Sequence, residues 1–340
     1  MRKYFDALWG NERSRVMLGS CIEQGNLPHA LILEGPAGSG KRTLAKELAA
    51  ALVCENKGDV SRPLPCHTCR ACHLVDTENA IDVHFISRED KASIGVESVR
   101  EMRRDVYLSS TEFDSKIYIF EDAHTMTPQA QNALLIVLEE PPPGVHFLLL
   151  AEAGEALLET IKSRARTVRM EKLTENGLTD FLSARFPSLL SSVTPSELRA
   201  AVVSADGRVG EFLRLLEPKS RELLQKERKT TLSLLTALAG GRYSALCEAF
   251  APLPSKRDEL INALSLLSLS VRDLILRKRD DNAPLCFFAS EEECESLLSS
   301  FRTDKLFAIS DTVNEALERL DKNANTSTVL GILKAKLRSK

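Results

Sequence analysis

Four cysteines fall within one short stretch, at Cys54, Cys66, Cys69 and Cys72. Thiolates two residues apart turn back onto one metal, and four complete a tetrahedral zinc site with no open position. The intervening 56–65 stretch is polar, with Gly58, Pro63 and Pro65, so it is free to loop. A ferredoxin-type iron–sulfur run would carry a further cysteine three residues on, followed by proline, and neither is there. The expected Zn²⁺ is therefore structural, and His67 and His73, surplus to a four-cysteine site, are expected to be solvated. Cys21, Cys247, Cys286 and Cys294 are scattered and read as core or surface thiols.

The second constellation is Gly35-Pro36-Ala37-Gly38-Ser39-Gly40-Lys41. Glycines let backbone N–H groups turn inward around a polyphosphate, a helix N-terminus adds partial positive charge, and Lys41 would reach the β- and γ-phosphates. The alternative is a glycine-rich strand-to-helix turn without a ligand. A Mg²⁺-dependent site needs Ser or Thr directly after the lysine. Here Arg42 stands there, and Thr43 comes one place later, about 100° further round a helix. The acids that close such a site are expected as a short Asp on the metal and then a longer Glu on the water. Glu121-Asp122 has the reverse order, which misplaces both by about one methylene. Errors of that size cost about two orders of magnitude in rate. Gly35, Gly38, Gly40, Lys41, Arg42, Thr43, Glu121 and Asp122 are thus read as a degenerate nucleotide site. ATP or ADP is expected to bind weakly at most, with weak or absent hydrolysis.

These residues need elements to hold them. Ala30–Glu34, Asp82–Ile86, Ile117–Phe120, Phe147–Ala151 and Thr167–Met170 read as strands, all but the last strongly apolar, as buried parallel strands are. Between them Leu44, Leu48 and Leu52, and Ala130, Leu134 and Leu138, repeat at helical spacing. Thr127 with Pro128 opens the second of these helices, and Pro141-Pro142-Pro143 stops it. Strand–helix alternation implies an α/β domain with a parallel sheet. Beyond Met170 the strand signals end. Thr194-Pro195-Ser196-Glu197 is a capping box opening a helix that ends near Gly207. Glu217-Pro218-Lys219-Ser220 reads as a linker, and the rest is helical, with Leu260, Leu264, Leu267, Val271 and Leu274 as one apolar stripe. Gly240-Gly241 and Asn282-Ala283-Pro284 separate helices. The division is 1–170, with the cysteine module at 54–72, then 171–217 and 218–340.

Composition narrows the class. The 340 residues exceed one ordinary domain. Forty-five basic against 48 acidic residues leave −3, which excludes a strongly cationic nucleic-acid module as the whole chain. Only 5% is aromatic, so the cores must rest on aliphatic side chains. Eight cysteines are too few for a disulfide scaffold. The longest apolar run, Leu48–Cys54, does not span a membrane. No apolar segment follows Met1, and a cytoplasmic protein with reduced thiols is expected.

Taken together, these residues resemble a bacterial clamp-loader AAA+ subunit of the DNA polymerase III holoenzyme, over nearly the whole chain. Pro28-His29-Ala30 resembles the family's entry to the phosphate loop, and the cysteine insertion resembles the zinc module of its delta-prime and gamma/tau members. Residues 132–142, Asn132 to Pro142, resemble the signature helix, with Ile136 where Lys is usual. Ser163-Arg164-Ala165 resembles the Ser-Arg-Cys motif, and Asn323-Ala324-Asn325 the asparagine pair of the C-terminal collar. The resemblance implies a P-loop (AAA+) domain, a small helical lid and an all-α collar. It also implies gamma/tau and delta subunits as partners, and the sliding clamp and primed DNA met through the assembled complex. Arg42, the swapped acids, Ala151-Glu152 at the first sensor and Gly210 at the second sensor (Arg208 lies two places away) depart from a motor subunit. They favour a non-motor, delta-prime-type member; an active gamma/tau-type ATPase is the alternative, and an unrelated P-loop adaptor a third. On residues alone Arg164, between Lys162 and Arg166, is a surface arginine in a polar loop. The resemblance implies that it is an arginine finger acting in trans. Lys334, Lys336, Arg338 and Lys340 read as a solvated helix face rather than a DNA site.

Overall fold

Alternation along the strands decides the layers of the first half of the chain. Every second residue of a strand faces the same side of its sheet. Leu31, Leu33, Ile117, Ile119, Leu148 and Leu150 share one core with the four clustered cysteines, while Ile32, Tyr118, Phe120, Phe147 and Leu149 share another. Both faces are covered, which is why these strands read as continuous apolar runs. A computed structural model describes residues 2–88, 91–152, 156–281, 283, 285–288, 290–322 and 324–338. Asn282, Pro284, Asn323 and Lys340 lie outside the described residues.

The strands are β1 (Ala30–Glu34), β2 (Val83–Ile86), β3 (Lys116–Phe120), β4 (Val145–Ala151) and β5 (Arg166–Arg169). They form one sheet in the order β2-β3-β4-β1-β5, and every pairing is parallel. In such sheets ligands bind beyond the carboxyl ends of the strands. Gly35, Glu121 and Glu152 follow directly on β1, β3 and β4, three neighbours in the sheet, so this edge collects the candidate residues. Helices α1 (Glu12–Glu23), α2 (Lys41–Val53) and α3 (Arg70–Asp76) precede β2; α4 (Val96–Asp105), α5 (Pro128–Glu139) and the short α6 (Glu159–Lys162) follow. Leu44, Leu48, Ala130, Leu134 and Leu138 are all buried, as their spacing requires. The Thr127 side chain accepts from the Ala130 N–H, so the expected cap is in place.

One buried acid organises the approach to β3. Asp82, 1% exposed, accepts the N–H groups of Thr111 (2.9 Å), Glu112 (2.7 Å) and Phe113 (2.9 Å). Burial alone would raise its pKa, but these donors and Lys116 hold it below the usual carboxylate value. A depressed folded pKa means that this contribution is present above the unfolded value, near 4, and is lost as pH falls through the folded one. Asp82→Asn turns an amide donor toward other donors. It is expected to cost about 1–3 kcal/mol and to flatten the acid dependence of stability below about pH 4. Denaturant midpoints measured across pH check both.

The chain divides into two compact units. One runs to Phe181 and includes Asp206–Glu211; the other comprises Leu182–Ala205 and everything from Phe212 onward. Helix α7 (Glu175–Arg185) runs across the first break, and α8 (Pro187–Ser191) and α9 (Pro195–Ala205) follow. The capping box forms at α9: Thr194 Oγ1 accepts from Glu197 N, and Glu197 accepts from Thr194 N at 2.9 Å. Helix α10 (Val209–Leu216) leads into α11 (Pro218–Gly240), α12 (Tyr243–Phe250), α13 (Arg257–Arg277), α14 (Glu291–Leu298), α15 (Thr303–Asp321) and α16 (Thr326–Arg338). Glu217–Ser220 is not the linker expected from its composition. Pro218 occupies the first helical position of α11, where its missing N–H costs nothing. Gly241, at φ 66°, ends that helix as expected. The stripe from Leu260 to Leu274 is fully buried, and α13 packs against α15. Among the described residues no helix is long and apolar enough to cross a membrane.

Candidate functional site

The loop after β1 turns through two left-handed glycines, Gly38 (φ 77°) and Gly40 (φ 92°), and Gly40 caps α2. A third glycine is needed for proximity. The Gly210 N–H donates to the Gly38 carbonyl at 2.9 Å, and a Cβ on Gly210 would sit 2.9 Å from Gly38 Cα. Position 210, expected to be the second sensor, therefore closes against the phosphate loop by backbone alone. Lys41 Nζ donates to the carbonyls of Gly35 (2.6 Å) and Pro36 (2.9 Å), spanning the loop it belongs to. Burial lowers its pKa from the ordinary lysine value, against the pull of Glu152 and Asp122. The Ser39 side chain is buried, and its hydroxyl has no hydrogen-bond partner among the described residues.

Arg42 and Glu121, far apart in sequence, meet directly. Arg42 Nε donates to Glu121 Oε1 at 2.5 Å, and its Nη2 pairs with Glu78 at 3.0 Å. The guanidinium also lies over the Phe85 ring, 5.4 Å from the centroid. Asp122 is held separately: its backbone is left-handed (φ 53°), its carbonyl takes the Thr125 N–H and hydroxyl, and its carboxylate pairs with Arg88 at 3.5 Å. Thr43 is half-buried one place further along α2. The Glu152 N–H meets His124 Nδ1 at 3.4 Å.

The cysteine module sits in the core layer on one face of the sheet. The sulfurs of Cys54, Cys66, Cys69 and Cys72 all lie within 4.8 Å of one another, and all four residues are buried. Cys66 and Cys72 are 4.0 Å apart at sulfur. Metal–sulfur bonds of about 2.3 Å in a tetrahedron place sulfurs about 3.8 Å apart, whereas a disulfide needs about 2 Å. The donor set and spacing therefore fit a thiolate-bound metal ion. Burial pushes the Cys54 and Cys72 thiols up. Burial acts the same way on Cys66, but donors from Asn56 (3.3 Å) and Thr68 (3.5 Å) win and lower it to about 5. Such donors stabilise thiolate ligands. Cys69 caps α3, its sulfur accepting the Cys72 N–H.

His67 is not the solvated residue its surplus status suggested. It pairs with Glu47 (3.0 Å) and Asp76 (3.1 Å), and the Glu47 bond above all raises its pKa to about 9. Glu47 lies on α2 and is 3% exposed. This link between the module and the phosphate-loop helix had one sequence signal, a lone acid among the apolar residues of α2. His73 is exposed, as expected.

The arginine loop is fixed from α5. Gln131, buried, donates to the carbonyls of Met126 (3.1 Å) and Ala156 (3.2 Å) and accepts the Leu158 N–H (2.8 Å), anchoring the entry to α6. Arg164 follows α6. It donates to the Thr160 carbonyl (3.1 Å) and the Ser163 hydroxyl (3.2 Å) and pairs with Glu139, at the end of α5, at 2.8 Å. Ile136 on the same helix is 50% exposed. In the second unit Asn325 accepts from the N–H groups of Ser327 (3.0 Å) and Thr328 (3.3 Å) at the start of α16. The basic residues of α16 are engaged within the chain: Lys336 pairs with Glu315, and Lys334 and Arg338 lie over the Tyr243 ring.

A phosphate loop after a central parallel strand, with an acid pair at the same edge after β3, one strand beyond its neighbour β4, defines a P-loop domain. The family model described as DNA polymerase III, delta subunit, matches residues 10–174. DNA polymerase III subunit gamma/tau of Mycoplasma pneumoniae is 31% identical over 216 residues, 63% of this chain and 30% of that protein. DNA polymerase III subunit delta' of Haemophilus influenzae is 30% identical over 191 residues, 56% of either chain. In both cases the chain spans less than two thirds of the relative's length. A solved gamma subunit-related protein from Thermotoga maritima aligns with 94% of this chain and 97% of its own at 19% identity, with a TM-score of 0.48. Over residues 10–174, just under half of its length, the chain is similar to the delta' and gamma/tau subunits of bacterial DNA polymerase III.

Proposed function

We propose that the chain is a delta-prime-type subunit of a clamp loader: a non-motor member that lends Arg164 to a neighbouring ATPase subunit while the sliding clamp is loaded onto primed DNA. The observation that carries this is the direct pairing of Arg42 with Glu121. In a working P-loop site these two positions hold Mg²⁺ between a hydroxyl and an acid. Here they hold each other. Asp122, at the position that would orient a water, has its carboxylate paired with Arg88. Relatives named gamma/tau and delta' both match this segment, so similarity alone does not choose between motor and non-motor.

Residues 1–170 are the P-loop domain, 171–217 the lid and 218–340 the collar in this reading. The partners are gamma/tau and delta subunits, and the clamp and DNA are met through the complex. Zn²⁺ is the structural metal at Cys54, Cys66, Cys69 and Cys72, where it would neutralise thiolates and tie the 54–72 loop to α3. The isolated chain is expected to hydrolyse ATP no faster with Mg²⁺ than without, and to co-purify with gamma/tau and delta when all three are expressed together. Brisk Mg²⁺-dependent turnover that Lys41→Ala abolishes would establish the gamma/tau-type alternative instead.

A further inference from the structure

The degenerate site keeps several features that a dead turn would not need. Gly38 and Gly40 retain the left-handed backbone of a phosphate cradle at the N-terminus of α2, a helix of 13 residues. Ser39, 8% exposed, holds its hydroxyl inside the loop with no hydrogen-bond partner among the described residues. Among the described residues Lys41 Nζ donates to carbonyls of the loop, contacts that a phosphate oxygen can replace. What has changed is confined to the cation. A metal ion in a P-loop site bridges position 42 to position 121 and offsets phosphate charge. In this chain the Arg42 guanidinium makes that bridge itself, with Nε on Glu121 and Nη2 on Glu78. Guanidinium is always charged and offers five donors, two of which are used here, so it can meet a phosphate while still bound to Glu121. Around it the charges balance: Arg42, Lys46 and Arg88 face Glu78, Glu121 and Asp122. A divalent cation would have to displace a bonded side chain to enter.

We propose that Arg42 is a built-in substitute for the divalent cation, making this a site for a nucleoside di- or triphosphate that binds without Mg²⁺. The inference rests on the reading of the loop as a weak nucleotide site. It assigns Arg42 the choice between metal-free and metal-bound nucleotide.

The test titrates a fluorescent ADP analogue into the full chain, once in buffer freed of divalent ions on a resin and once with Mg²⁺. A soluble chelator is avoided because it would strip the cysteine cluster. The two affinities are expected to agree within about twofold. Arg42→Thr is expected to weaken binding about tenfold in the metal-free buffer and to regain affinity with Mg²⁺, the loss matching one charge-assisted hydrogen bond. Wild-type affinity that rises tenfold or more with Mg²⁺ overturns the inference and leaves the nucleotide site standing. Absence of binding in both buffers overturns the nucleotide site and the inference together. Mn²⁺ resonance with ADP present gives an independent reading: no protein-bound signal is expected from the wild-type chain, and a bound signal that Glu121→Gln removes would overturn the proposal.

Discussion

Replacing Arg164 with Ala is expected to leave the subunit folded and assembled while lowering ATP turnover at the neighbouring subunit's site by about 10³-fold or more. The structure explains why fold and activity should separate. Arg164 is about one-third exposed and its partner Glu139 is half exposed. A pair of that kind contributes about 0–1 kcal/mol, so its loss should barely move the melting temperature. The same weakness lets Arg164 leave Glu139 for a phosphoryl group, where a planar fork of donors is worth far more. Arg164→Lys keeps the charge without the fork and should restore only a small part of the rate. Glu139→Gln removes the competing carboxylate and should leave turnover unchanged or slightly raised. Measurements belong on the reconstituted complex with the clamp present, alongside a check of assembly by gel filtration. Unchanged turnover in an assembled Arg164→Ala complex would reject the finger role.

The largest effect on stability is expected at the cysteines. Purified chain should carry about one equivalent of zinc, and Cys72→Ser should lose it. Cys72 is 0% exposed and shares its core cluster with Leu31, Leu33, Leu48 and Leu148. Metal loss would therefore leave unbalanced thiols inside the layer that backs β1 rather than in a peripheral loop. Structural zinc contributes about 10–16 kcal/mol in small peptides. A loss of even several kcal/mol corresponds to about 10 °C or more for a unit of this size. Thermal melts with metal analysis check both halves. Iron in place of zinc, or a Cys72→Ser protein that melts with the wild type, would overturn the assignment.

Much of the sheet was legible because its central strands, β1, β3 and β4, are buried and apolar on both faces. Ala30–Glu34 coincides with β1, and the other runs differ by one or two residues at their ends. Those offsets have a cause. Strand ends are set by the ladder partner: Lys116 pairs with Val145, which extends β4 two residues before the apolar run at Phe147. The apolar run begins at Asp82, yet β2 begins at Val83, and the Asp82 carboxylate is committed to the turn ahead of β3. The phosphate loop, the four cysteines and the acid pair were visible as motifs, since each is local. Their partners were not. Arg42 with Glu121 and Arg164 with Glu139 join elements separated by intervening strands and helices, and Glu47 with His67 joins a helix to the irregular loop beyond its end. No periodicity along one segment reports such a meeting. The 217–220 stretch misled for the opposite reason: its proline suits a linker and a helix start equally, and only the continuing helix decides.

The parallel sheet also constrains how the chain can be made. Ala30 finds its ladder partner in Phe147, and Leu31 finds its other neighbour in Arg166, so β1 waits for most of the first unit to be synthesised. Closing such long loops is slow as well as entropically costly. The cysteines need no such wait, because Cys54 to Cys72 closes over a short stretch that leaves the ribosome long before β4. With metal bound, that early loop would pin α3 to the end of α2 and give the unpaired β1 a partial cover. A cell short of the metal would then lose this protein during its birth rather than after it.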